Sequence, residues 1–440
     1  MYTNRHIWHI SYPIFLSLLA QNIINVTDTA FLGRVGEVEL GASAMGGLYY
    51  ICMYTIAFGF SIGSQIVIGR RNGEKNYKAI GPVVIQGIFF VMVLALTLFL
   101  FSRFVAADMM RALITSDNIW TATMEFLDLR VYGFFFSFLN AMFRALFVGI
   151  TRTKVLTLNA LLMAIVNVIF DYLLIFGHAG FPRMGIQGAA IASLIAEGTS
   201  ILFFVIYTYL TVDRKKYGLN QFSFIDWSLL QQVLKISIFT MLQYFLSMGT
   251  FLLFFVVVER LGERELAVAN IVRSIYILMF IPVNSLSTTT NTLVSNTMGA
   301  GKTSFVFPLI RKIACFSLGI MIPFSIGLCL FPYSILSIYT NDFSLIQDSV
   351  LSVYVIAIVG IFCSITSVVF SGLSGTGNTR PALILEMLIL ILYVIFIYII
   401  GIKLSQPVHI CFISEWIYYV GLLGGCVVYF RFASWDKKKI

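Results

Sequence analysis

The chain has 440 residues, of which 59% are hydrophobic and only 11% are charged, and its formal net charge is +9. A soluble domain carries roughly 25% charged residues, so the composition excludes a soluble globular protein and predicts a polytopic membrane protein. The excess of cations does not indicate nucleic-acid binding, because the cations gather in short loops between apolar runs, where membrane topology explains them.

Apolar stretches of about 20 residues are long enough to cross a bilayer as helices. Counting them predicts about twelve transmembrane helices, at 7–31, 44–68, 80–102, 126–150, 155–177, 187–211, 233–258, 267–292, 306–332, 349–373, 381–404 and 408–431. The first run is too long for the apolar part of a signal peptide and contains polar residues, so we expect no cleavable leader.

The cations concentrate in every second loop. This set comprises Arg70, Arg71, Lys75, Lys78, Arg152, Lys154, Arg214, Lys215, Lys216, Lys302, Arg311, Lys312, Arg380, Lys437, Lys438 and Lys439. By the positive-inside rule these loops face the cytoplasm. We therefore expect a multi-pass protein of the cell's inner (plasma) membrane with both termini in the cytoplasm.

An internal repeat divides the chain into two halves. LGRVGEVEL, with Gly36, aligns with LGERELAV, with Gly262, and Gly73 aligns with Gly299 at the same offset of 226 residues. The most polar interior stretch lies near the middle. We therefore predict two homologous six-helix lobes, at 1–212 and 233–440, joined by a cytoplasmic linker at 213–232, as in transporters built from parallel repeats.

Two aspartates, Asp28 and Asp171, lie inside apolar runs of the first half. A carboxylate in the hydrocarbon costs roughly 3 kcal/mol on insertion scales and usually marks an ion or proton pathway. Asn167 lies four residues before Asp171, on the same face of a helix. We predict that these three residues form an ion-coupling site, which can bind Na⁺ or hold a proton. The alternative is a hydrogen-bond cluster that only fixes helix packing.

Weaker candidates surround this predicted site. The further polar residues that could line an ion or substrate cavity are Gln21, Asn25, Tyr132, Asn140, Ser193 and Glu197. Pro13 is a candidate hinge in the first span, because proline removes a backbone hydrogen bond. Glu386 is expected near the cytoplasmic end of its span, within reach of interfacial water, and Glu415 is expected to match Glu197 in the other half.

Catalysis and ATP hydrolysis have no supporting motif. The loops GRRNGEK and NTMGAGK lack the spacing of a phosphate-binding loop. The six cysteines and four histidines lack metal-binding spacing, and no nucleophile, histidine and acid form a catalytic set. We therefore expect a protein that is not an enzyme, has no cofactor, and draws on an H⁺ or Na⁺ gradient.

Landmarks along the whole chain resemble the multidrug and toxic compound extrusion (MATE) transporters. They include FLGRVGEVELGA after Asp28, the paired loops GRRNGE and NTMGAG, VNVIFDYLLIFG followed by GIQGAAIAS, and FSGLSGTGNTRP. The resemblance implies a V-shaped, all-helical fold of two lobes with alternating access. It is closest to the branch similar to DNA-damage-inducible protein F, which keeps its acids in the N-terminal lobe. Another branch, the NorM-like transporters, carries acids where this chain has Ser247 and Ser364.

The resemblance implies a secondary active exporter that exchanges organic compounds for H⁺ or Na⁺. We expect small, cationic or amphipathic substrates, contact with membrane lipid, no nucleic-acid partner and a monomer. The alternative function is a lipid-linked oligosaccharide flippase of the same superfamily. Such flippases line their cavity with cations, and we expect none within the spans of this chain.

Overall fold

The computed structural model describes residues 2–220 and 225–437, and within these ranges the fold is helical and contains no strand. The helices are α1 (Asn4–Val35), α2 (Glu37–Gly73), α3 (Ile80–Leu113), α4 (Asp117–Arg130), α5 (Gly133–Gly149), α6 (Lys154–Phe176), α7 (Gly185–Thr211), α8 (Trp227–Glu259), α9 (Glu263–Gly299), α10 (Val306–Leu330), α11 (Pro332–Leu336), α12 (Phe343–Gly375), α13 (Thr379–Ile397), α14 (Val408–Cys411) and α15 (Ile413–Phe432). The predicted all-α polytopic fold is confirmed. Residues 221–224 of the predicted linker, and Lys438 and Lys439, lie outside the described residues.

Eleven helical segments in the described ranges are long and apolar enough to cross a membrane. A twelfth span results if α4 and α5, which are bent by 54° at a short break, count as one. This broken span begins at Asp117, earlier than the predicted start at 126. The early start has a local cause, because the Ser116 side chain caps the helix by accepting a hydrogen bond from the Ile119 amide.

The element boundaries repeat along the chain at the offset of 226 residues seen in the sequence. Helices α2 and α9 each have 37 residues and begin and end 226 positions apart. The start of α4 and the end of α5 are likewise 226 positions from the start and end of α12. One difference separates the copies: α12 is a continuous helix of 33 residues, whereas its counterpart is broken between Arg130 and Gly133.

The chain divides into two compact units. The first unit is Tyr12–Met241, and the second unit is Leu242–Ile440 together with Met1–Ser11. Within the first unit, the Gly81 amide at the start of α3 donates a hydrogen bond of 2.7 Å to the Tyr217 carbonyl. The first part of the segment predicted as a linker is thus fixed against a helix. The predicted lobe boundaries stay a prediction.

Close helix packing in the first unit depends on small residues of α2. A Cβ atom built on Gly63 would lie 2.5 Å from the Cα atom of Ser237, and one on Gly59 would lie 2.5 Å from the Cα atom of Met241. The hydroxyl of Thr240 also donates a 2.7 Å hydrogen bond to the Gly59 carbonyl. The spacing Gly-x-x-x-Gly is typical of membrane helices whose backbones touch. The beginning of α8 therefore packs directly on α2.

Candidate functional site

The first unit brings Asp28 of α1 and Asp171 of α6 together, and the two carboxyl groups are in hydrogen-bond contact. We call them the acid pair. Asp171 is fully buried and Asp28 is partly buried. Two carboxylates in contact repel each other in a low dielectric, so such a pair favours a bound proton or cation. The residues predicted as a coupling site thus lie close enough to share one ion.

Asn167 completes this cluster one helical turn before Asp171. When its amide nitrogen faces the acid pair, it donates hydrogen bonds of 3.0 Å to Asp28 Oδ1 and 3.2 Å to Asp171 Oδ2. In this orientation the site suits a proton shared by the two carboxyl groups. The Asn167 amide nitrogen donates to the carboxyl oxygens, and the amide oxygen is turned away and cannot coordinate a cation. Rotating the amide by half a turn would present three side-chain oxygens, a set that suits a hard cation such as Na⁺.

Pro13 lies inside α1, and its carbonyl accepts a 2.9 Å hydrogen bond from the Thr157 hydroxyl of α6. The same two helices carry the acid pair. The boundary between the two compact units also falls between Ser11 and Tyr12, just before this proline. The predicted hinge in α1 is therefore connected by a side-chain hydrogen bond to the helix that carries Asp171.

Several of the weaker candidates are not among the hydrogen-bond partners of the acid pair in the described residues. Gln21 and Asn25 are exposed on α1, and neither side chain is hydrogen-bonded to the acid pair or to Asn167 in the described structure. Tyr132 packs its ring 5.0 Å from that of Phe99. Ser193 lies one turn before Glu197 on α7. Their predicted places in the cavity remain predictions.

Glu197 forms a buried ion pair that the sequence did not predict. Arg130, the last residue of α4, donates hydrogen bonds of 2.6 Å and 3.0 Å to the two carboxylate oxygens of Glu197. The guanidinium also lies 3.7 Å from the ring centroid of Tyr50. The Tyr50 hydroxyl is 3.3 Å from Glu197 Oε1 and 2.8 Å from Ser137 Oγ. We call this group the Tyr50–Arg130–Glu197 cluster.

Asn140 extends the cluster toward α6. Its amide nitrogen donates to the Glu197 carbonyl at 3.3 Å, and its amide oxygen accepts from the Ser200 hydroxyl at 2.8 Å. Ser200 in turn accepts a 2.8 Å hydrogen bond from Asn159 of α6. These hydrogen bonds join the backbone of α7 at Glu197, through Asn140 and Ser200, to Asn159 of α6, the helix that carries Asn167 and Asp171.

The second unit holds two more acids within its helices, Glu386 and Glu415, and one prediction about Glu386 is wrong. Glu386 does not reach interfacial water, because it is only 2% exposed. Its Oε1 accepts hydrogen bonds of 2.6 Å from Ser247 and 2.8 Å from Tyr418. Ser247 therefore stands beside an acid that a different helix supplies. Sequence alone did not show this, because the two residues are 139 positions apart.

Glu415 occupies a site related to that of Glu197. Its carboxylate accepts a 3.1 Å hydrogen bond from Tyr393 and is also in hydrogen-bond contact with Tyr276. Tyr276 lies 226 positions after Tyr50, so each unit places a tyrosine from equivalent positions against a glutamate within its helices. The repeat contained this signal, although it did not show which glutamate each tyrosine contacts.

The expectation that the spans contain no cations is wrong. Arg130, Arg144 and Arg273 lie within α4, α5 and α9. The guanidinium groups of Arg144 and Arg273 each lie 5.1 Å from a phenylalanine ring centroid. Aromatic faces stabilise such charges inside helical segments. In the described residues, no group of three or more His, Cys, Asp or Glu side chains could hold a metal ion.

Comparison with known proteins places these features in a family context. The model of the MatE family matches residues 13–173 and 240–399. A relative in Thermotoga maritima, named probable multidrug resistance protein NorM, is 26% identical over 383 residues, which are 86% of this chain and 81% of the relative. A second NorM protein, from Agrobacterium fabrum, is 25% identical over 66% of this chain and 62% of its own length.

Two solved structures show the same fold. The eukaryotic MATE transporter AtDTX14 superposes with a TM-score of 0.88 at 14% identity, over 98% of this chain and 96% of its own. A transporter of the MOP superfamily from Pyrococcus furiosus superposes with a TM-score of 0.87 at 18% identity, again over 98% and 96% of the two chains. Identities this low support a shared architecture only.

Proposed function

The chain belongs to the MatE family of multi-pass membrane transporters, and from this premise we propose that it exports small organic compounds by exchange for H⁺ or Na⁺. The observation that carries the proposal is the acid pair, Asp28 and Asp171, with Asn167 donating to both carboxyl groups. An intramembrane carboxyl pair of this kind is costly unless it binds an ion in the transport cycle.

The acid pair supplies a simple coupling chemistry. One bound proton or Na⁺ removes the repulsion between two carboxylates that the bilayer would otherwise oppose. The pair then carries one negative charge in place of two, which lets α1 repack against α6, with bending near Pro13, and this favours the conformation that releases substrate outward. Ion and substrate then compete for conformations of the protein and need not touch each other, which is alternating access.

The remaining features of the proposal concern substrate and location. The names of the NorM relatives describe multidrug resistance, and we extend that role to this chain, with cationic or amphipathic compounds as substrates. Phenylalanine and tyrosine side chains supply faces for cations. We place the protein in the plasma (inner) membrane with both termini cytoplasmic, acting as a monomer, and within the branch similar to DNA-damage-inducible protein F.

The decisive experiment imposes each gradient separately. Purified protein is reconstituted into proteoliposomes loaded with ethidium, and efflux is followed under an inward proton gradient, an inward Na⁺ gradient, or neither. We expect efflux to require one gradient. Equal efflux in all three conditions would refute ion coupling.

The arginines within the spans favour a second candidate, a lipid-linked oligosaccharide flippase. Arg144 and Arg273 are held against aromatic rings, and a guanidinium inside a membrane helix suits the phosphate groups of an anionic lipid. The test is transbilayer movement of a fluorescent lipid-linked oligosaccharide pyrophosphate in the same vesicles. Movement that is lost in Arg144→Gln and Arg273→Gln variants, without ethidium efflux in the wild type, would favour the flippase.

A further inference from the structure

A cluster of basic and aromatic side chains lies at one end of the spans of the first unit, and the proposed coupling site does not include it. Three segments supply it: 74–79 between α2 and α3, 150–154 between α5 and α6, and 212–220 after α7. Each segment adjoins a helical segment that is long and apolar enough to cross a membrane. The cluster therefore lies at the level where a bilayer presents its headgroups.

Two cations of the cluster converge on one tyrosine ring. The Lys216 ammonium lies 5.4 Å from the ring centroid of Tyr217, and the Arg152 guanidinium lies 6.0 Å from the same centroid. Lys216 also lies 4.4 Å from the ring centroid of Tyr77, and the two tyrosine rings pack edge to face at 5.8 Å. Aromatic faces attract cations without neutralising them. The two positive charges are thus held close together although they repel each other.

No acidic side chain pairs with these two charges. In residues 2–220 and 225–437, neither Lys216 nor Arg152 forms an ion pair, and both residues are exposed. Arg152 donates a 3.3 Å hydrogen bond to the Thr211 carbonyl. The nearby Asp213 carboxylate accepts a 3.0 Å hydrogen bond from the backbone amide of Lys216 and does not contact its ammonium group. Four further cations belong to the same three segments: Lys78, Lys154, Arg214 and Lys215.

The backbone fixes the third segment of the cluster against the second. The Gly81 amide donates to the Tyr217 carbonyl, and a Cβ atom on Gly81 would overlap the carbonyl oxygen of Gly218. Gly218 itself has a φ of 66°, and a Cβ atom there would overlap the carbonyl oxygen of Lys78. Only glycine allows so close an approach in this conformation. Lys216 therefore occupies a set position beside the first segment, in place of extending freely into solvent.

The duplicated half of the chain lacks this arrangement. The positions 226 residues after Tyr77 and Lys78 are Thr303 and Ser304, so the ring that holds Lys216 has no counterpart there. Membrane topology requires only that the loop be basic, and the second half meets that requirement without the ring. The convergence of cations on tyrosine rings in the first unit therefore calls for a further explanation.

We propose that this cluster binds the phosphate group of an anionic phospholipid, with Lys216 and Arg152 as its two cationic ligands. Ammonium and guanidinium groups both suit phosphate oxygens. A lipid is the source of the phosphate because the cluster lies at the headgroup level, where tyrosine rings are favoured and basic residues attract anionic lipids. The bound phosphate removes the repulsion between the two cations. Binding at this surface is independent of the proposed transport function.

The test measures lipid binding to the purified chain in a neutral detergent. Phosphatidylglycerol is titrated in, and the bound fraction is counted by native mass spectrometry. Lys216→Gln with Arg152→Gln removes both charges and keeps polar side chains. Each cation beside an anionic headgroup accounts for roughly a fivefold change in affinity, so the double variant should bind this lipid roughly thirtyfold more weakly. Phosphatidylcholine, which has no net charge, should bind weakly to the wild type and to the variant alike.

The controls separate a specific site from a diffuse charge effect. Lys302→Gln with Arg311→Gln removes two exposed cations from the second unit and should weaken binding by less than about threefold. Arg152→Lys keeps the charge and should bind within about threefold of the wild type. Equal weakening by the two double variants would overturn the proposal, and so would unchanged binding after the loss of Lys216 and Arg152.

Inorganic phosphate distinguishes a lipid site from a site for free anions. At the concentration of the lipid, it should not displace phosphatidylglycerol, and displacement would show that the site does not select a lipid. Thermal unfolding without lipid checks the fold of each variant. If the Lys216 and Arg152 double variant is poorly folded, Tyr77→Leu decides, because it removes the ring that holds Lys216 and leaves every charge in place. It should weaken binding severalfold, and binding equal to that of Arg152→Lys would refute the proposal.

Discussion

Replacing Asp171 with asparagine should abolish ion-driven efflux and leave the protein folded. The substitution keeps the shape of the side chain and removes one carboxylate from the fully buried end of the acid pair. A unit charge about 4 Å from a cation contributes roughly 4 kcal/mol at an effective dielectric of 20. That energy corresponds to a loss of affinity of about a thousandfold, which takes the site out of the working range of a cellular gradient.

Stability should change in the opposite sense to transport. In the wild type, two carboxyl groups share one site, and two negative charges in contact there would repel each other. One amide in place of one acid removes that conflict and can still hydrogen-bond to Asp28 and Asn167. We expect the melting temperature of the purified Asp171→Asn protein to equal or exceed that of the wild type, as is common when a strained functional site is neutralised.

The assay measures efflux from proteoliposomes with the driving gradient, alongside thermal unfolding in the same lipid. Asp28→Asn should behave like Asp171→Asn. The matched control is Asp108→Asn, the same chemical change at an exposed position of α3, which should retain wild-type efflux. Near-normal coupled efflux by a protein that carries both the Asp28 and the Asp171 substitutions would refute the reasoning.

Two further predictions concern stability and the second unit. Ser247→Ala removes a hydrogen bond to the buried carboxyl of Glu386 and should destabilise the protein by about 1 kcal/mol, measured as a lower melting temperature. Ser364→Ala removes only a hydrogen bond to the carbonyl three residues earlier and should lower the melting temperature less. Equal changes in melting temperature would contradict this. Gly188→Ala should lower the melting temperature, because the new Cβ atom would lie 2.7 Å from the backbone of α6. Gly327→Ala is the control: its Cβ atom would meet open space, so it should raise the stability by roughly 0.5–1 kcal/mol. A Gly188→Ala protein as stable as the wild type would show that α6 and α7 can separate without cost.

The sequence predicted the elements of the fold because bilayer thickness imposes a strong length and hydropathy signal. It also predicted the grouping of Asn167 with Asp171, since four residues make one helical turn. The contact of Asp28 with these two residues is a tertiary contact between α1 and α6, which helical periodicity does not predict. The sequence indicated it only because an acid inside a membrane span is costly unless it has a partner. The structure brings the three side chains together, and their role in coupling stays a prediction.

The remaining polar contacts could not be read from the chain. Arg130 and Glu197 are 67 positions apart, and Ser247 and Glu386 are 139 apart. Helical periodicity relates residues within a few turns, so it does not report which faces of distant helices meet. The break after Arg130 was not predicted either, because the sequence contains no proline there and 126–150 is predicted as one span. Only the comparison of the two copies shows that the break is local to one of them.

The contact between α2 and α8 has a consequence for how the protein is made. The first compact unit ends at Met241, beyond its six spans, because the opening turns of α8 cover Gly59 and Gly63. During synthesis, the ribosome must therefore deliver the seventh apolar segment to the membrane before the first six can reach their final packing. A nascent chain arrested at residue 212 would present a bare glycine stripe to lipid, and we expect it to be held by the insertion machinery or degraded.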